Sequence, residues 1–265
     1  MLGSDLLTVL SEHYKVLTPS LDITNAIECE KTIRLLKPDI VINAAAYTKV
    51  DLAEVEREKC FAVNATGVKN LVLSCEEHTK LVHFSTDYVF DGSKLYPYDE
   101  IDFCRPLNVY GKSKWEGETY IYSFKKNHIV IRTAWLFGKN GKNFISTILQ
   151  KAKAGEKMKV VVDQIGSPTY TKDLAEATKV LIDRGSTGIF NITNSGFCNW
   201  HTLASFAVDC AKIKCEIAPI KTSQIKQMAQ RPEIVVLDRK KFLKETNHSM
   251  RLWRKAVEDY VKEII

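Results

Sequence analysis

Short apolar segments rich in β-branched residues alternate with longer amphipathic segments through the first two thirds of the chain. The apolar segments predict strands at residues 15–18, 39–43, 81–85, 129–132, 159–162 and 189–192. The amphipathic segments predict helices at residues 4–14, 24–36, 54–77, 110–125, 143–154 and 172–183. This alternation indicates an α/β fold, in which helices cover both faces of a doubly wound parallel sheet.

Polar residues follow several of the predicted strands, at the point where each strand ends. In an open sheet of parallel strands, ligands bind beyond the carboxyl ends of the strands. The residues at those ends are Asn43, Ser85, Thr86, Arg132 and Thr133. We therefore expect the functional site at this edge of the sheet.

The chain is predicted to contain two interleaved units. A Rossmann-type dinucleotide-binding domain is expected at residues 1–145, and part of residues 159–193 is expected to return to it. Beyond about residue 193 the regular alternation is replaced by helices, short strands and loops. We expect residues 146–265 to form a smaller C-terminal lobe that binds the substrate.

The first residues depart from the usual opening of such a domain, which is an apolar strand and a glycine-rich turn before the first helix. Only Gly3 could belong to such a turn, so the pattern predicts a fold whose first strand is missing. A start codon placed too late, deliberate trimming and a natural truncation that has lost cofactor binding would each explain it. Unpaired ladder groups would be costly in a natural truncation, which favours the first two explanations.

Composition narrows the class of protein. The chain has 265 residues, of which 45% are hydrophobic and 26% charged, as in an ordinary globular protein. We expect no membrane partner and a cytoplasmic location, because no apolar segment could span a bilayer and the first residues do not form a signal peptide. The net charge of +6 is spread along the chain, so no nucleic acid is expected. The seven cysteines form no C-x-x-C pair, and no metal-binding pattern is present.

The strongest candidate for chemistry combines the segment that follows the third predicted strand with the start of a helix. Tyr110 and Lys114 share one helical face, so an ammonium near the phenol could lower its pKa and make it a general acid. The hydroxyl of Thr86 could bind the same substrate oxygen. The Tyr-x-x-x-Lys spacing is also common on solvated helix faces, but its position after a strand end favours a site.

Several segments together resemble the dTDP-4-dehydrorhamnose reductases, a family of extended short-chain dehydrogenase/reductases. They are INAAAYT at 42–48, VDLAE at 50–54, NAT at 64–66, STDYVFDG at 85–92, PLNVYGKSK at 106–114, RTAW at 132–135, DQIGSPT at 163–169 and RP at 231–232. These segments span nearly the whole chain, which makes the resemblance specific.

The resemblance implies that the protein reduces the C4 ketone of dTDP-4-dehydro-L-rhamnose with NADPH or NADH. Tyr110 would protonate the carbonyl oxygen, Lys114 would lower the pKa of Tyr110 and hold the nicotinamide ribose, and Thr86 would bind the oxyanion. The substrate pocket would be lined by Thr86, Asp87, Tyr88 and Trp135. The cofactor would contact Gly3, Asp22, Ile23, Ala44, Ala45, Ala46, Tyr47, Tyr110 and Lys114.

Simpler interpretations of these residues remain open. Tyr88 and Trp135 could be core aromatic residues, and the alanine segment could be a buried strand end. The strand predicted at residues 15–18 is followed directly by Pro19 and Ser20. No carboxylate there would reject a 2′-phosphate, which favours NADPH over NADH.

Two other functions fit the same fold. A non-catalytic binding protein would resemble the regulatory subunit of methionine adenosyltransferase, and an epimerase or dehydratase would act on another nucleotide sugar. The intact Thr86, Tyr110 and Lys114 favour the reductase. We also expect that the chain can form a homodimer.

Overall fold

The computed structural model describes residues 1–265, in which helices and strands alternate through the first part of the chain. The helices are α1 (Leu2–Ser11), α2 (Ala26–Leu36), α3 (Val50–Ala53), α4 (Arg57–Phe61), α5 (Gly67–Ser74), α6 (Val109–Phe124), α7 (Phe144–Lys153), α8 (Thr171–Asp183), α9 (Trp200–Cys210), α10 (Lys240–Thr246) and α11 (Trp253–Ile264). The strands are β1 (Ile40–Asn43), β2 (Lys80–Thr86), β3 (His128–Thr133), β4 (Leu136–Phe137), β5 (Met158–Val161), β6 (Ile165–Gly166), β7 (Thr169–Tyr170), β8 (Gly188–Asn191), β9 (Cys198–Asn199), β10 (Ile217–Ile220) and β11 (Ile234–Val235).

The central sheet has four parallel strands in the order β1, β2, β3, β8. Its strands are apolar on both faces because helices cover both. On one face Ile131 and Phe190 pack with Leu6 of α1, and on the other Leu81 packs with Ile121 of α6. The predicted doubly wound α/β fold is therefore confirmed, and the carboxyl ends of all four strands lie at one edge.

The strand predicted at residues 15–18 is not formed, since residues 15–22 have no regular secondary structure. A strand requires a neighbour to complete its hydrogen bonds. In this sheet β1 pairs only with β2 and is an edge strand. Residues 15–18 thus have the composition of a strand but no strand beside them.

The helix predicted at residues 54–77 is formed from Arg57 to Ser74, where α4, a π-helical turn at Ala62–Thr66 and α5 follow one another without a break. A tertiary contact explains the π-helical turn. The Asn64 side chain accepts a hydrogen bond from Tyr47 N at 2.8 Å and donates one to Tyr47 O at 3.0 Å. Helix α6 crosses this turn closely at Gly117, where a Cβ atom would lie 2.3 Å from the Asn64 carbonyl oxygen.

The C-terminal part of the chain builds a second apolar core from α7, α9 and α11. Strand β5, which matches the prediction at residues 159–162, pairs with β10 outside the central sheet. Helix α8 instead packs against α1, and β8 joins the central sheet, so residues 171–191 return to the first core. None of the helices combines the length and the apolar composition that crossing a membrane requires.

Candidate active site

The carboxyl end of β2 turns sharply at Thr86, and this turn positions the first candidate residues. Thr86 Oγ1 accepts a hydrogen bond from Tyr88 N at 3.2 Å and donates one to Asp87 Oδ1 at 2.9 Å. Asp87 is buried, with 4% of its surface exposed, and burial raises the pKa of its carboxyl group to about 7. Near neutral pH this carboxyl group is therefore present in both its protonated and its ionised form.

The start of α6 lies directly against this turn. Asn108 caps the helix, since its Oδ1 accepts a hydrogen bond from Gly111 N at 2.8 Å. Gly111 allows the close approach, because a Cβ atom there would lie 2.2 Å from the Tyr88 carbonyl oxygen. The rings of Tyr88 and Tyr110 meet edge to face, with centroids 5.8 Å apart. The two segments that the sequence singled out thus converge at one edge of the sheet.

Tyr110 and Lys114 are held in different environments on α6. Burial raises the pKa of the Tyr110 phenol above its ordinary value, and a hydrogen bond with Thr86 offsets part of the increase. Lys114 is buried, and its Nζ donates to Phe84 O at 2.6 Å and lies 3.1 Å from His83 Nε2. Burial lowers the pKa of Lys114 to about 8. In this arrangement the amine contacts β2, at the Phe84 carbonyl oxygen and the His83 ring.

The segment after β1 and the start of α1 form the side of the site where a dinucleotide was expected. Ala44, Ala45 and Ala46 are exposed rather than buried, and a Cβ atom on Gly3 would lie 3.8 Å from Ala44 Cβ. The first N–H groups of α1 therefore lie beside this exposed segment, as suits a phosphate group. Tyr47, the next residue, is buried and its hydroxyl donates to Glu56 Oε2 at 3.0 Å.

One further observation indicates that a polar ligand fits the ends of β2 and β3. The hydroxyl oxygens of Ser85 and Thr133 are buried at the ends of β2 and β3 and have no hydrogen-bond partner in the protein, so a polar ligand could satisfy them. Of the two residues expected beside the adenine, Asp22 is exposed and accepts hydrogen bonds from the Thr24 backbone N–H and hydroxyl at 2.9 and 2.8 Å. Both hydrogen bonds, the backbone one first, lower the Asp22 pKa. Ile23 beside it is buried against α2 and α5.

A cavity of about 460 Å³ lies between Tyr88 and the second lobe. Its lining includes two aromatic side chains and four cations, which are Phe144, Trp200, Lys151, Lys157, Lys159 and Arg231. Trp135 supports this wall. Its ring stacks on that of Trp200 with centroids 3.6 Å apart, and its backbone is left-handed with a φ of 49°. Trp135 therefore supports the cavity by packing against Trp200, which lines it.

An ion pair joins the two lobes across the mouth of the site. Arg231 Nη1 and Nη2 donate to the two oxygens of Asp51, each at 2.6 Å. Asp51 also accepts from the backbone N–H groups of Met228 and Ala229, both at 3.1 Å. Helix α3, which contains Asp51, and the loop that carries Arg231 are thereby held together.

Comparisons with known proteins agree with this geometry. The family profile described as RmlD substrate binding domain matches residues 1–265. The chain belongs to this family. It is 37% identical to the dTDP-4-dehydrorhamnose reductase of Aggregatibacter actinomycetemcomitans, over 97% of this chain and 94% of that protein. It is 40% identical to the spore coat polysaccharide biosynthesis protein SpsK of Bacillus subtilis strain 168, over 86% of this chain and 80% of that protein.

A solved structure is also close to this chain. The crystal structure of the Bacillus anthracis dTDP-4-dehydrorhamnose reductase in complex with NADP superposes with a TM-score of 0.96 and is 35% identical, over 99% of this chain and 95% of that one. The predicted membership of the family is therefore confirmed. The relatives named here as reductases do not favour the regulatory subunit or the epimerase.

Several residues of the candidate site could not be predicted from the sequence. Lys151, Lys157 and Lys159 were not singled out, because they lie on separate elements and resemble ordinary surface charges. Asn43 was noted only as a strand end. His83 was missed because a single histidine within an apolar strand gives no motif.

Proposed function

We propose that this protein reduces the C4 ketone of dTDP-4-dehydro-L-rhamnose to the hydroxyl of dTDP-L-rhamnose, with NADPH or NADH as the reductant. The observation that carries the proposal is that Thr86 at the end of β2 lies against Tyr110 of α6, one helical turn before Lys114, whose Nζ donates to Phe84 O of the same strand. The exposed alanine segment lies on one side of this group and the basic cavity on the other. A hydride donor and a nucleotide sugar could therefore meet there.

Tyr110 is the proton donor in this proposal. When bound, the cofactor supplies the hydride that adds to the carbonyl carbon, and the oxygen then requires a proton. Tyr110 keeps its proton until the oxygen becomes basic, because burial raises the phenol pKa. A protonated Lys114 would stabilise the phenolate that remains after the transfer.

Thr86 and Asp87 would cooperate in binding the developing oxyanion. The Thr86 hydroxyl has one proton, which it donates to Asp87 in this structure. When Asp87 is protonated it can donate to Thr86 instead, and the Thr86 proton is then free for the substrate oxygen. The pKa of about 7 for Asp87 makes this exchange accessible near neutral pH.

The cavity in the second lobe suits a nucleoside diphosphate. Lys151, Lys157 and Lys159 provide cations for two phosphate groups, and Trp200 provides a flat surface for a base. Arg231 also lines the cavity, with its charge paired to Asp51. The proposal places the diphosphate beside Tyr88, so that the sugar points toward Tyr110.

We assign the reaction to the cytoplasm and its product to the synthesis of surface polysaccharides. All seven cysteines are free thiols, which fits a reducing compartment. One relative is named for spore coat polysaccharide biosynthesis, which fits a rhamnose donor used for polysaccharides.

The direct test measures nicotinamide absorbance with purified protein, NADPH and dTDP-4-dehydro-L-rhamnose. We expect oxidation of NADPH only when the sugar is added, and dTDP-L-rhamnose as the product by mass spectrometry and NMR. One control is the Tyr110→Phe variant. A second control replaces the substrate with UDP-glucose, because its conversion would reveal an epimerase. Folded protein that gives no sugar-dependent oxidation would refute the proposal.

A further inference from the structure

His83 is a fully buried titratable residue that the proposed reaction does not use directly. It lies within β2, opposite Asn43 of β1 in the parallel register. Its Nδ1 is 3.1 Å from Asn43 Nδ2, and its Nε2 is 3.1 Å from Lys114 Nζ. One imidazole ring therefore links the end of β1 to an amine of the candidate active site.

The hydrogen bonds of Asn43 determine which imidazole nitrogen carries the proton. Asn43 Oδ1 accepts from the backbone N–H of Ala45 at 3.1 Å, so the amide NH₂ must face His83. An NH₂ group can only donate, and His83 Nδ1 must therefore accept. Burial and the nearby Lys114 hold the pKa of His83 well below its ordinary value, so the ring is neutral. Its single proton then lies on Nε2, facing Lys114.

An Nε2–H group favours one charge state of Lys114. A neutral amine has a lone pair that can accept from Nε2–H, whereas an ammonium has three donors and no acceptor. The other partner of Lys114, Phe84 O at 2.6 Å, accepts from either form. The Asn43 and His83 pair thus stabilises neutral Lys114 and disfavours the ammonium.

No neighbouring charge reverses this preference. Besides His83, the titratable side chains that act on Lys114 are Glu118 on α6 itself and Cys60 on α4. Glu54 acts on Cys60 and Asp87 on Tyr110, and Lys69 of α5 lies over the Tyr120 ring. Glu118 and Cys60 act to raise the Lys114 pKa, but burial outweighs them. The Glu118 charge is already paired with Arg132 at 2.7 Å.

We propose that Asn43 and His83 are positioning residues that set the pH at which Lys114 loses its proton, and with it the alkaline limit of the reduction. The link to the reduction rests on the proposed function, because that mechanism requires the Lys114 ammonium. The link to Lys114 itself rests only on the hydrogen-bond geometry. The two parts can therefore be tested separately.

The first test needs no substrate. ¹⁵N NMR of the imidazole in the unmodified protein distinguishes the two neutral tautomers, and we expect the proton of His83 on Nε2. The pKa of Lys114 is measured from the pH dependence of its ¹³Cε signal in lysine-labelled protein, assigned with a Lys114→Met variant. A proton on Nδ1 would overturn the proposal.

The second test changes the imidazole. In His83→Leu the neutral amine loses its donor and the ammonium loses an unfavourable neighbour, so we expect the Lys114 pKa to rise by about one unit. His83→Gln is the conservative control. Its oxygen would accept from Asn43 and its NH₂ would face Lys114, so the pKa should stay near that of the unmodified protein. If Nε2 instead accepted from an ammonium, His83→Leu would lower the pKa.

The third test connects this titration to the reaction. The alkaline limb of kcat/KM against pH should move upward in His83→Leu by the same amount as the Lys114 titration and stay in place in His83→Gln. A residue that only packs the core would leave both titrations unmoved, and that result would refute the proposal. A Lys114 titration that moves while the pH profile stays fixed would overturn the link to the reduction. Absence of any reduction in the unmodified protein would refute the proposed function and leave the NMR result intact.

Discussion

The buried ion pair between Glu118 and Arg132 should make a large contribution to the stability of α6, the helix that carries the candidate catalytic residues. The side chains are 0% and 3% exposed. Arg132 donates to both Glu118 oxygens, with Nε to Oε1 at 3.1 Å and Nη2 to Oε2 at 2.7 Å. Tyr122 Oη also donates to Glu118 Oε2. Replacing Glu118 with Gln keeps the shape and removes the charge.

The expected loss follows from what remains buried. In Glu118→Gln the guanidinium of Arg132 keeps its charge without a counterion, and the new NH₂ group faces the donors of Arg132 or Tyr122. Removal of one partner from a buried pair destabilises proteins by about 3–5 kcal/mol. The amide retains one acceptor, so we expect about 3 kcal/mol in the free energy of unfolding. For a chain of this size this corresponds to a fall of roughly 6–12 °C in Tm.

Urea unfolding followed by circular dichroism measures this loss, and the matched control is Glu30→Gln. Glu30 pairs with Arg34 at 3.3 Å on the surface of α2, where the side chains are 61% and 78% exposed. An exposed pair contributes at most about 0.5 kcal/mol, so this variant should unfold like the unmodified protein. A loss below about 1 kcal/mol in Glu118→Gln would refute the reasoning that the buried charge of Arg132 depends on Glu118.

Three further variants test the site itself. Tyr110→Phe should lower kcat by about 10²–10⁴ with little change in the Kd for NADPH measured by fluorescence titration, and a fully active variant would assign the proton to another donor. Asp51→Asn weakens the contacts that hold the loop of Arg231 against α3, so the KM for the nucleotide sugar should rise by about tenfold, or about 1.4 kcal/mol, at similar kcat; an unchanged KM would show that the ion pair does not support the cavity. Gly111→Ala places a Cβ atom 2.2 Å from the Tyr88 carbonyl oxygen and should displace the start of α6, so retained activity and stability would contradict the close packing described here.

The pair of Asp51 and Arg231 also has a predictable pH dependence. Hydrogen bonding to Arg231 is the largest cause that lowers the pKa of Asp51 to about 2. Because the folded-state pKa lies below the ordinary value, the pair contributes its stability above the unfolded pKa and loses it as the pH falls through about 2. Acid unfolding of Asp51→Asn should therefore lack the part of the pH dependence that comes from this carboxyl group.

The central sheet could be predicted because its strands are buried on both faces and are continuously apolar in sequence. Strands β1, β2, β3 and β8 lie within a residue or two of their predicted positions. The strand predicted at residues 15–18 is not formed, because a strand depends on a neighbouring strand as well as on its own composition. The helix predicted at residues 54–77 is formed from Arg57 to Ser74, but its π-helical turn could not be predicted, because the turn carries the contact of Asn64 with Tyr47, which periodicity does not encode.

The candidate site was predicted to the extent that it depends on strand ends and helix faces. Thr86 and Tyr110 were placed together because both follow strand ends in a parallel sheet. The contacts of the Lys114 amine with Phe84 O and His83 Nε2 could not be predicted, since they depend on the rotamer of a buried side chain.

The environment of Lys114 changes what its spacing from Tyr110 means. The i, i+4 spacing places an amine and a phenol on one face of α6, but it does not determine whether the amine is charged. That depends on burial and on the groups within hydrogen-bond reach, and here the nearest side-chain donor, His83 Nε2–H, favours the neutral form. A lysine held in this way takes up a proton most readily when an acceptor replaces its contact with His83. The hydroxyl groups of a bound ribose would be such acceptors, so cofactor binding would raise the Lys114 pKa and charge the amine when the proposed reaction requires it. ¹³C titration of Lys114 with and without saturating NADP measures this shift, and an unchanged pKa would contradict the coupling.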